Sequence, residues 1–413
     1  MSETLTIARL GAQGDGIAET PGGAVYVPFA LPGEAVEVAR EKDRARVLSL
    51  LEPSAERVVP ACRHFGTCGG CSIQHLASGP YHEWKRQKLV QALASRGIDA
   101  EVAPTVGIAP ATRRRAIFSA RRQPGGVVLG YNRAASHDIF AVEECPILLP
   151  AITSRLDMLR RLAALVCPPA EPVHVAVTAT ASGLDVAVDG PVRLSESARK
   201  ACVAFGIREE LARLTVAGEL VVEPAKPVVM FAGVAVSPPA GGFLQAVEAT
   251  ENAMAALSAE HLARAKKVAD LFAGAGAFTF RLAARAAVHA VEGDAAALAA
   301  LDRAARGASG LKRITHERRD LFRRPLTAKD LGAFDGVLFD PPRAGAEDQS
   351  RQIARSDVPL VVAVSCNPAT LARDLRILID GGYRLAGVVP FDQFLWSPHV
   401  EAVALLEKPR RRR

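Results

Sequence analysis

No apolar run in this chain reaches the roughly 18 residues needed to cross a bilayer as a helix, which excludes an α-helical membrane span. The first residues, MSETLTIARLGAQGDG, have neither a basic n-region nor an apolar h-region, so the expectation is a protein without a secretory leader that works in the cytosol. No repeat of roughly 20–50 residues is present, which sets aside solenoids and propellers. A complete G-x-G-x-x-G fingerprint is missing, and so is the C-x3-C-x2-C triplet of radical chemistry. What is present bounds the answer further. At 413 residues and 49% hydrophobic content, the chain can bury a full core, and about 150 residues per domain predicts two to three domains. Lys and Arg number 51 against 44 Asp and Glu, for a net charge of +7, a balance suited to a polyanionic partner. Seven cysteines in a chain without a leader read as a metal site or a nucleophile before they read as disulfides.

Three textures follow one another. Residues 1–55 show short apolar alternations with turn signals at Gly14-Asp15-Gly16, Gly22-Gly23 and Pro32-Gly33, as in a small five-stranded barrel. Residues 56–240 form a mixed central region. It opens with a cysteine-rich loop (58–75) and a helical segment (81–96) that ends near Gly97 and is expected to dock on the catalytic domain. Between Arg113 and Arg133 it carries six arginines and no acid. From Gly241 onward, strands alternate with alanine-rich helices, the βαβ pattern of a doubly wound parallel sheet. Expected strands are 268–272, 287–292, 313–316, 336–340 and 360–365, closed by an antiparallel pair at 383–389 and 400–406. The final Lys-Pro-Arg-Arg-Arg-Arg reads as a solvated tail.

The glycines of Asp270-Leu271-Phe272-Ala273-Gly274-Ala275-Gly276 fall where the first strand turns into a helix, where a ligand can approach the backbone. Glu292 ends the next strand at the spacing of a ribose-binding carboxylate, and Asp320 follows the third strand, within reach of an adenine edge. Ribose and adenine contacts without a pyrophosphate loop favour S-adenosylmethionine over a dinucleotide. The fourth strand delivers Asp340-Pro341-Pro342-Arg343 to the same edge, and the fifth delivers Cys366-Asn367-Pro368. Pro368 marks a helix start whose dipole favours a thiolate. Glu401 on the closing hairpin completes a thiol nucleophile and a carboxylate base, the parts that carbon methylation of a pyrimidine requires.

Asp-Pro-Pro-Arg-Ala-Gly, Ser-Cys-Asn-Pro-Ala-Thr-Leu-Ala-Arg-Asp and His-Val-Glu resemble the bacterial RNA 5-methyluridine methyltransferases, in the branch with an N-terminal TRAM domain and an iron–sulfur cluster. The resemblance implies an α/β fold: a Rossmann-like class I methyltransferase domain over 241–413, an OB-like TRAM barrel over 1–55 and a mixed central domain. It also implies that Gln245, Phe272, Glu292, Asp320 and Asp340 bind S-adenosylmethionine, that Cys366 is the nucleophile and that Glu401 is the general base. The chain departs from the family at Ala277, a cofactor position usually held by Asn, and after Gln245, where Ala246-Val247 replaces Val-Asn.

Cys62-x5-Cys68-Gly-Gly-Cys71 and the distant Cys145-Pro146 supply four thiolates around a glycine-rich loop. The residues alone leave zinc and an iron–sulfur core both open; the resemblance implies a [4Fe-4S] cluster. Cys167 and Cys202 read as core. The Arg113–Arg133 stretch, with Phe118 and Tyr131 interleaved, is expected to pair phosphates with stacking on RNA. The expected partner is structured RNA, 23S rRNA ahead of tRNA, bound by a monomer without membrane association. A catalytically silent RNA-binding protein is the alternative from another class.

Overall fold

The computed structural model describes residues 2–134 and 136–409, so the arginines of the tail, Arg410 to Arg413, lie outside the described residues. Among the described residues no helix is long and apolar enough to cross a membrane. Three large sheets succeed one another along the chain.

The first sheet has six strands, one more than expected, because Arg9–Leu10 adds a two-residue strand beside Gly16–Thr20. Alternation along Gly23–Val27 and Ala35–Glu41 turns Val25, Val27, Val36 and Val38 into a shared core with Leu5, Ile7 and Ala45. Glu34, fully buried at its rim, accepts from the backbone of Leu31 and from Arg57 at 2.5 Å, which ties the sheet to the cysteine loop.

The central sheet has seven strands. Arg115–Gln123 pairs antiparallel with both Val173–Thr180 and Gly126–Asn132, and one face is covered by the helices Leu156–Val166 and Glu196–Arg208. Cys167 and Cys202 are core there, as read.

The third sheet carries five parallel strands, Lys267–Leu271, Ala287–Glu292, Ile314–Arg318, Gly336–Phe339 and Leu360–Ser365, and then Arg384–Phe391 and Glu401–Glu407. Numbered in chain order, they lie 3-2-1-4-5-7-6, with the last two antiparallel. Gly336–Phe339 and Leu360–Ser365 are buried at every residue, as strands covered on both faces must be. Strand order reverses between strands 1 and 4, and the crevice beyond their carboxyl ends is where such sheets bind ligands.

This unit recruits chain from far upstream. The helix Ser78–Ala94 places Leu89 and Leu93 in the same core as Leu271, Val337 and Leu375, and Val102 and Val106 make single bridges to Val388 and Phe391. The strands Val229–Phe231 and Val234–Val236 likewise pack against Phe280 and Leu301.

Candidate active site

The glycine turn leaves strand 1 through Phe272, a non-glycine residue at φ 61°, and passes Gly274 at 56° and Gly276 at 102°. A Cβ on Gly276 would lie 2.6 Å from the Phe280 ring, so neither the φ nor the packing admits another residue. A bulky residue in the left-handed region is strained, and such strain gathers at ligand-binding turns. Glu292, at the end of strand 2, accepts from Gly274 N at 2.9 Å and from Asp294 N at 2.7 Å, which welds the second loop to the first. Asp320 folds its own loop by accepting from Phe322 N at 3.0 Å and Arg323 N at 3.3 Å. Phe322, half exposed, sets its ring 5.4 Å from that of Phe272, and both line one cavity with Leu321, Gly345 and Arg373. Sequence reading missed Phe322, since nothing in the spacing marks a lone aromatic after Asp320. Ala277 packs among apolar neighbours and offers no polar side-chain contact.

The second half of the site is built by three loops that bond to one another. Asn367 caps the helix Pro368–Asp380, accepting from Ala369 N, and donates Nδ2 to the Arg343 carbonyl at 3.0 Å. Thr370 donates to the same carbonyl at 3.3 Å. Arg343 in turn reaches His399 Nδ1 at 3.2 Å, on the loop that leads into Glu401. Asp340, Cys366 and Glu401 are thereby brought to one crevice, and their charges act on one another. Burial raises the Cys366 thiol to about 11, with the Glu401 and Asp340 carboxylates adding to it and the Arg343 guanidinium opposing. Burial likewise pushes both carboxyls upward, that of Glu401 further through the charge of Asp340. The helix start after Cys366 was expected to favour the thiolate. Desolvation and two nearby carboxylates outweigh a dipole of about half a charge, and the thiol is raised where the dipole would lower it.

Gln245 sits between these halves, buried, and donates to Asp340 Oδ2 at 3.0 Å. Its segment is pinned by Arg114: the backbone N–H donates to the Ala246 carbonyl at 2.9 Å and Nε to the Gln245 carbonyl at 3.1 Å, while Nη2 pairs with buried Glu251 at 2.7 Å. Arg115 donates to the Gly241 carbonyl at 3.0 Å, and Phe118 is wholly buried. The stretch expected to face RNA therefore works partly inward. A pleated strand sends alternate side chains to opposite faces, and here one face is core while the arginines flanking it clamp the cofactor side of the third sheet. Phe243, next to that clamp, is 74% exposed.

The loop before Glu401 is gripped by the helix Ser78–Ala94 and the cysteine loop. Lys85 and Asp392 form an ion pair with both side chains fully buried, and Lys88 donates to the Pro398 carbonyl. Trp396, at φ 57°, accepts from Ser72 N at 2.9 Å and Ile73 N at 3.3 Å. None of these partners was legible in the sequence, being some 300 residues apart along the chain, as with Lys85 and Asp392 (|i−j| 307).

Cys62, Cys68, Cys71 and Cys145 line a second cavity, with Phe65 and Phe140 among its walls. Gly69 N donates to the Asn132 carbonyl at 3.1 Å, and Gly70 N meets Cys68 Sγ at 3.4 Å, so one of the two glycines turns its amide to a sulfur. All four thiols are raised by burial, Cys71 to about 12. Among the described residues no group of three or more His, Cys, Asp or Glu side chains stands as ligands that could hold a metal ion.

Comparison with known proteins shows the family and the fold. Residues 238–409 match the tRNA (Uracil-5-)-methyltransferase family and residues 3–49 the TRAM domain. An RNA methyltransferase of Mesorhizobium japonicum is 60% identical over the whole of both chains. The 23S rRNA (uracil(1939)-C(5))-methyltransferase of Halomonas elongata is 34% identical, covering 98% of this chain and 89% of that one. The chain belongs to the RNA uracil-5-methyltransferase family. It is an enzyme with a class I methyltransferase domain and an N-terminal TRAM domain. The fold is shared along nearly its entire length with the Pyrococcus abyssi tRNA (uracil-54, C5)-methyltransferase bound to S-adenosyl-L-homocysteine, at a TM-score of 0.77 and 23% identity over 98% of this chain and 99% of that one.

Proposed function

We propose that this methyltransferase transfers a methyl group from S-adenosylmethionine to C5 of a uridine in 23S rRNA through a covalent Cys366–uracil adduct. The observation that carries the reading is the convergence of Cys366, Glu401 and Asp340 at one sheet edge, close enough for each carboxylate to raise the thiol. C5 of uracil is a poor nucleophile. Cys366 first releases its proton to water, and attack of the Sγ thiolate on C6 makes an enolate with electron density on C5. S-adenosylmethionine, when bound, supplies the electrophilic methyl. Glu401 then accepts the C5 proton, the C5–C6 double bond reforms and the Cys366 sulfur leaves as thiolate. The uracil must be unstacked to reach the crevice.

The donor set fits the cofactor. Phe272 and Phe322 offer apolar surface to a base, Glu292 and Asp320 hold carboxylates beside the glycine turn, and Asp340 stands where Gln245 holds it. Ala277 leaves a family contact unmade.

We also read the four-cysteine cavity as the seat of a [4Fe-4S] cluster held by Cys62, Cys68, Cys71 and Cys145. Four thiols lining one cavity, with the chain's resemblance to the cluster-bearing branch, support this reading over zinc. Its iron–thiolate bonds would cross-link the cysteine loop to the central region.

Ribosomal RNA is favoured by the full-length relative that acts on 23S rRNA. A cytosolic monomer is favoured because one chain carries every member of the crevice. The experiment is to map 5-methyluridine in ribosomal and transfer RNA of a deletion strain and to incubate the pure enzyme with a 5-fluorouridine transcript. Loss of one ribosomal 5-methyluridine and a stable adduct through Cys366 support the reading; loss from tRNA moves the substrate, and absence of any adduct with a methylatable RNA overturns the covalent mechanism.

A further inference from the structure

Resting on the uracil-C5 reading above, we infer that Gln393 is a positioning residue that holds Glu401 ready to accept the C5 proton and aligns Gln245 with Asp340. Gln393 lies on the segment between the last two strands and is 1% exposed. Its Oε1 accepts from the backbone N–H of Ala246 at 3.2 Å. A backbone N–H can only donate, so the orientation of this amide is set: its Nε2 must face the other way. Both Nε2 protons are then used, one to Gln245 Oε1 at 2.7 Å and one to Glu401 Oε2 at 2.6 Å. With its oxygen taken, Gln245 presents Nε2 to Asp340 Oδ2 at 3.0 Å. One chain of bonds thus runs from Ala246 through two amides to two buried carboxylates, and its polarity is dictated by a single peptide group.

The chemical consequence lies in which oxygens are left. Among the described residues Glu401 Oε1 has no protein donor, while Oε2 is stabilised as an acceptor, the condition of a base. Burial and the Asp340 charge raise Glu401, and the Gln393 donor opposes them and fixes which oxygen accepts. The step at stake is the elimination: Glu401 Oε1 takes the C5 proton, the C5–H electrons become the C5–C6 double bond, and the C6–S bond breaks to return Cys366 as thiolate. Gln393 is itself held rigid, because its neighbour Asp392 is locked to Lys85 and Trp396 to the cysteine loop.

The test uses full-length enzyme, Gln393→Met, which keeps length and loses both donors, and two transcripts of a methylatable RNA, one with uridine and one with 5-fluorouridine at the target. A charge-assisted hydrogen bond lost in a buried site predicts a fall in kcat of about 10- to 100-fold. KM for RNA should stay within about twofold, and covalent complex should accumulate on the uridine transcript, because methylation proceeds and elimination stalls. Trapping on the fluorinated transcript should match wild type. Unchanged kcat overturns the inference, as does a fall in fluorinated adduct parallel to kcat, which would put the effect before elimination. If Gln393→Met loses its fold, Gln393→Leu removes both donors without adding a charge and the same comparison decides. Failure of wild type to trap the fluorinated RNA overturns the uracil reading itself, and is thus distinct from failure of Gln393 alone.

Discussion

The enzyme has two places where acidic groups are crowded out of water, and they are built differently. In the cysteine cavity four thiols sit beside Glu144, Gln74 and Tyr131, and all are raised, first by burial. In the crevice of the third sheet, Asp270, Asp340 and Glu401 are also raised, but two amides thread between the last two and give each a donor on one oxygen only. In both places burial disfavours the ionised form. The thiols share the cavity wall with Gln74 and Tyr131, whose side chains bond to Cys71 and Cys145. A crevice whose carboxylates each keep an oxygen free is suited to being charged and emptied at every turnover. Yet the two are mechanically joined, because Ser72 and Ile73, directly after Cys71, bond to Trp396 on the loop before Glu401.

The comparison can be broken most severely at the nucleophile. Cys366→Ala should lower single-turnover methyl transfer by at least about a thousandfold, with cofactor affinity by calorimetry within a fewfold; comparable activity would remove the crevice from the chemistry. Glu401→Gln should slow turnover by about 10²- to 10⁴-fold while covalent RNA complex accumulates on denaturing gels. On the thiol side, Cys145→Ser should abolish broad visible absorption of anaerobically purified protein and lower the melting temperature; a colourless wild type holding stoichiometric zinc would replace the cluster with an ion. The inward-facing arginine is tested by Arg114→Met, which strands buried Glu251 and should cost about 3–5 kcal/mol in denaturant unfolding. If Arg114 were instead a phosphate contact, the change would appear in the salt dependence of RNA binding with stability intact.

The smallest effect sharpens the contrast through pH. Asp270 is raised from 3.8 to about 7 by burial, so the folded state binds its proton more tightly than the unfolded chain does. Its contribution is complete below pH 4 and is lost as pH rises toward and through 7. Cofactor-free enzyme should therefore melt lower at pH 8 than at pH 5, Asp270→Asn should flatten that slope, and saturating S-adenosylmethionine should raise the melting temperature most at pH 8. A slope unchanged by Asp270→Asn would assign the dependence to other groups.

Much of the fold was legible because the signals are local. Parallel strands covered on both faces read as short apolar runs, and 287–292 and 360–365 coincide with Ala287–Glu292 and Leu360–Ser365. The glycine turn, the Asp-Pro-Pro loop and the capped helix after Cys366 are likewise neighbours in sequence. The two-residue strand Arg9–Leu10 is too short to carry a period, so the sixth strand of the first sheet was not visible. Phe118 and Arg114 looked like one nucleic-acid face because a basic run with aromatics has the same composition whichever way its side chains point. Only the pairing of Arg115–Gln123 with Val173–Thr180, and the cover of two helices, decides which residues face the core.

What the sequence by itself determined is therefore the kind of chemistry: a thiol, two carboxylates and a glycine turn delivered to strand ends whose order follows from alternating periodicities. What only the tertiary structure decided is the state of those groups. The raised thiol, the amide chain through Gln393, and the grip of Lys85 on Asp392 all depend on burial and on contacts between residues hundreds of positions apart. Desolvation and hydrogen-bond direction are properties of a packed environment, and no spacing along a chain encodes them.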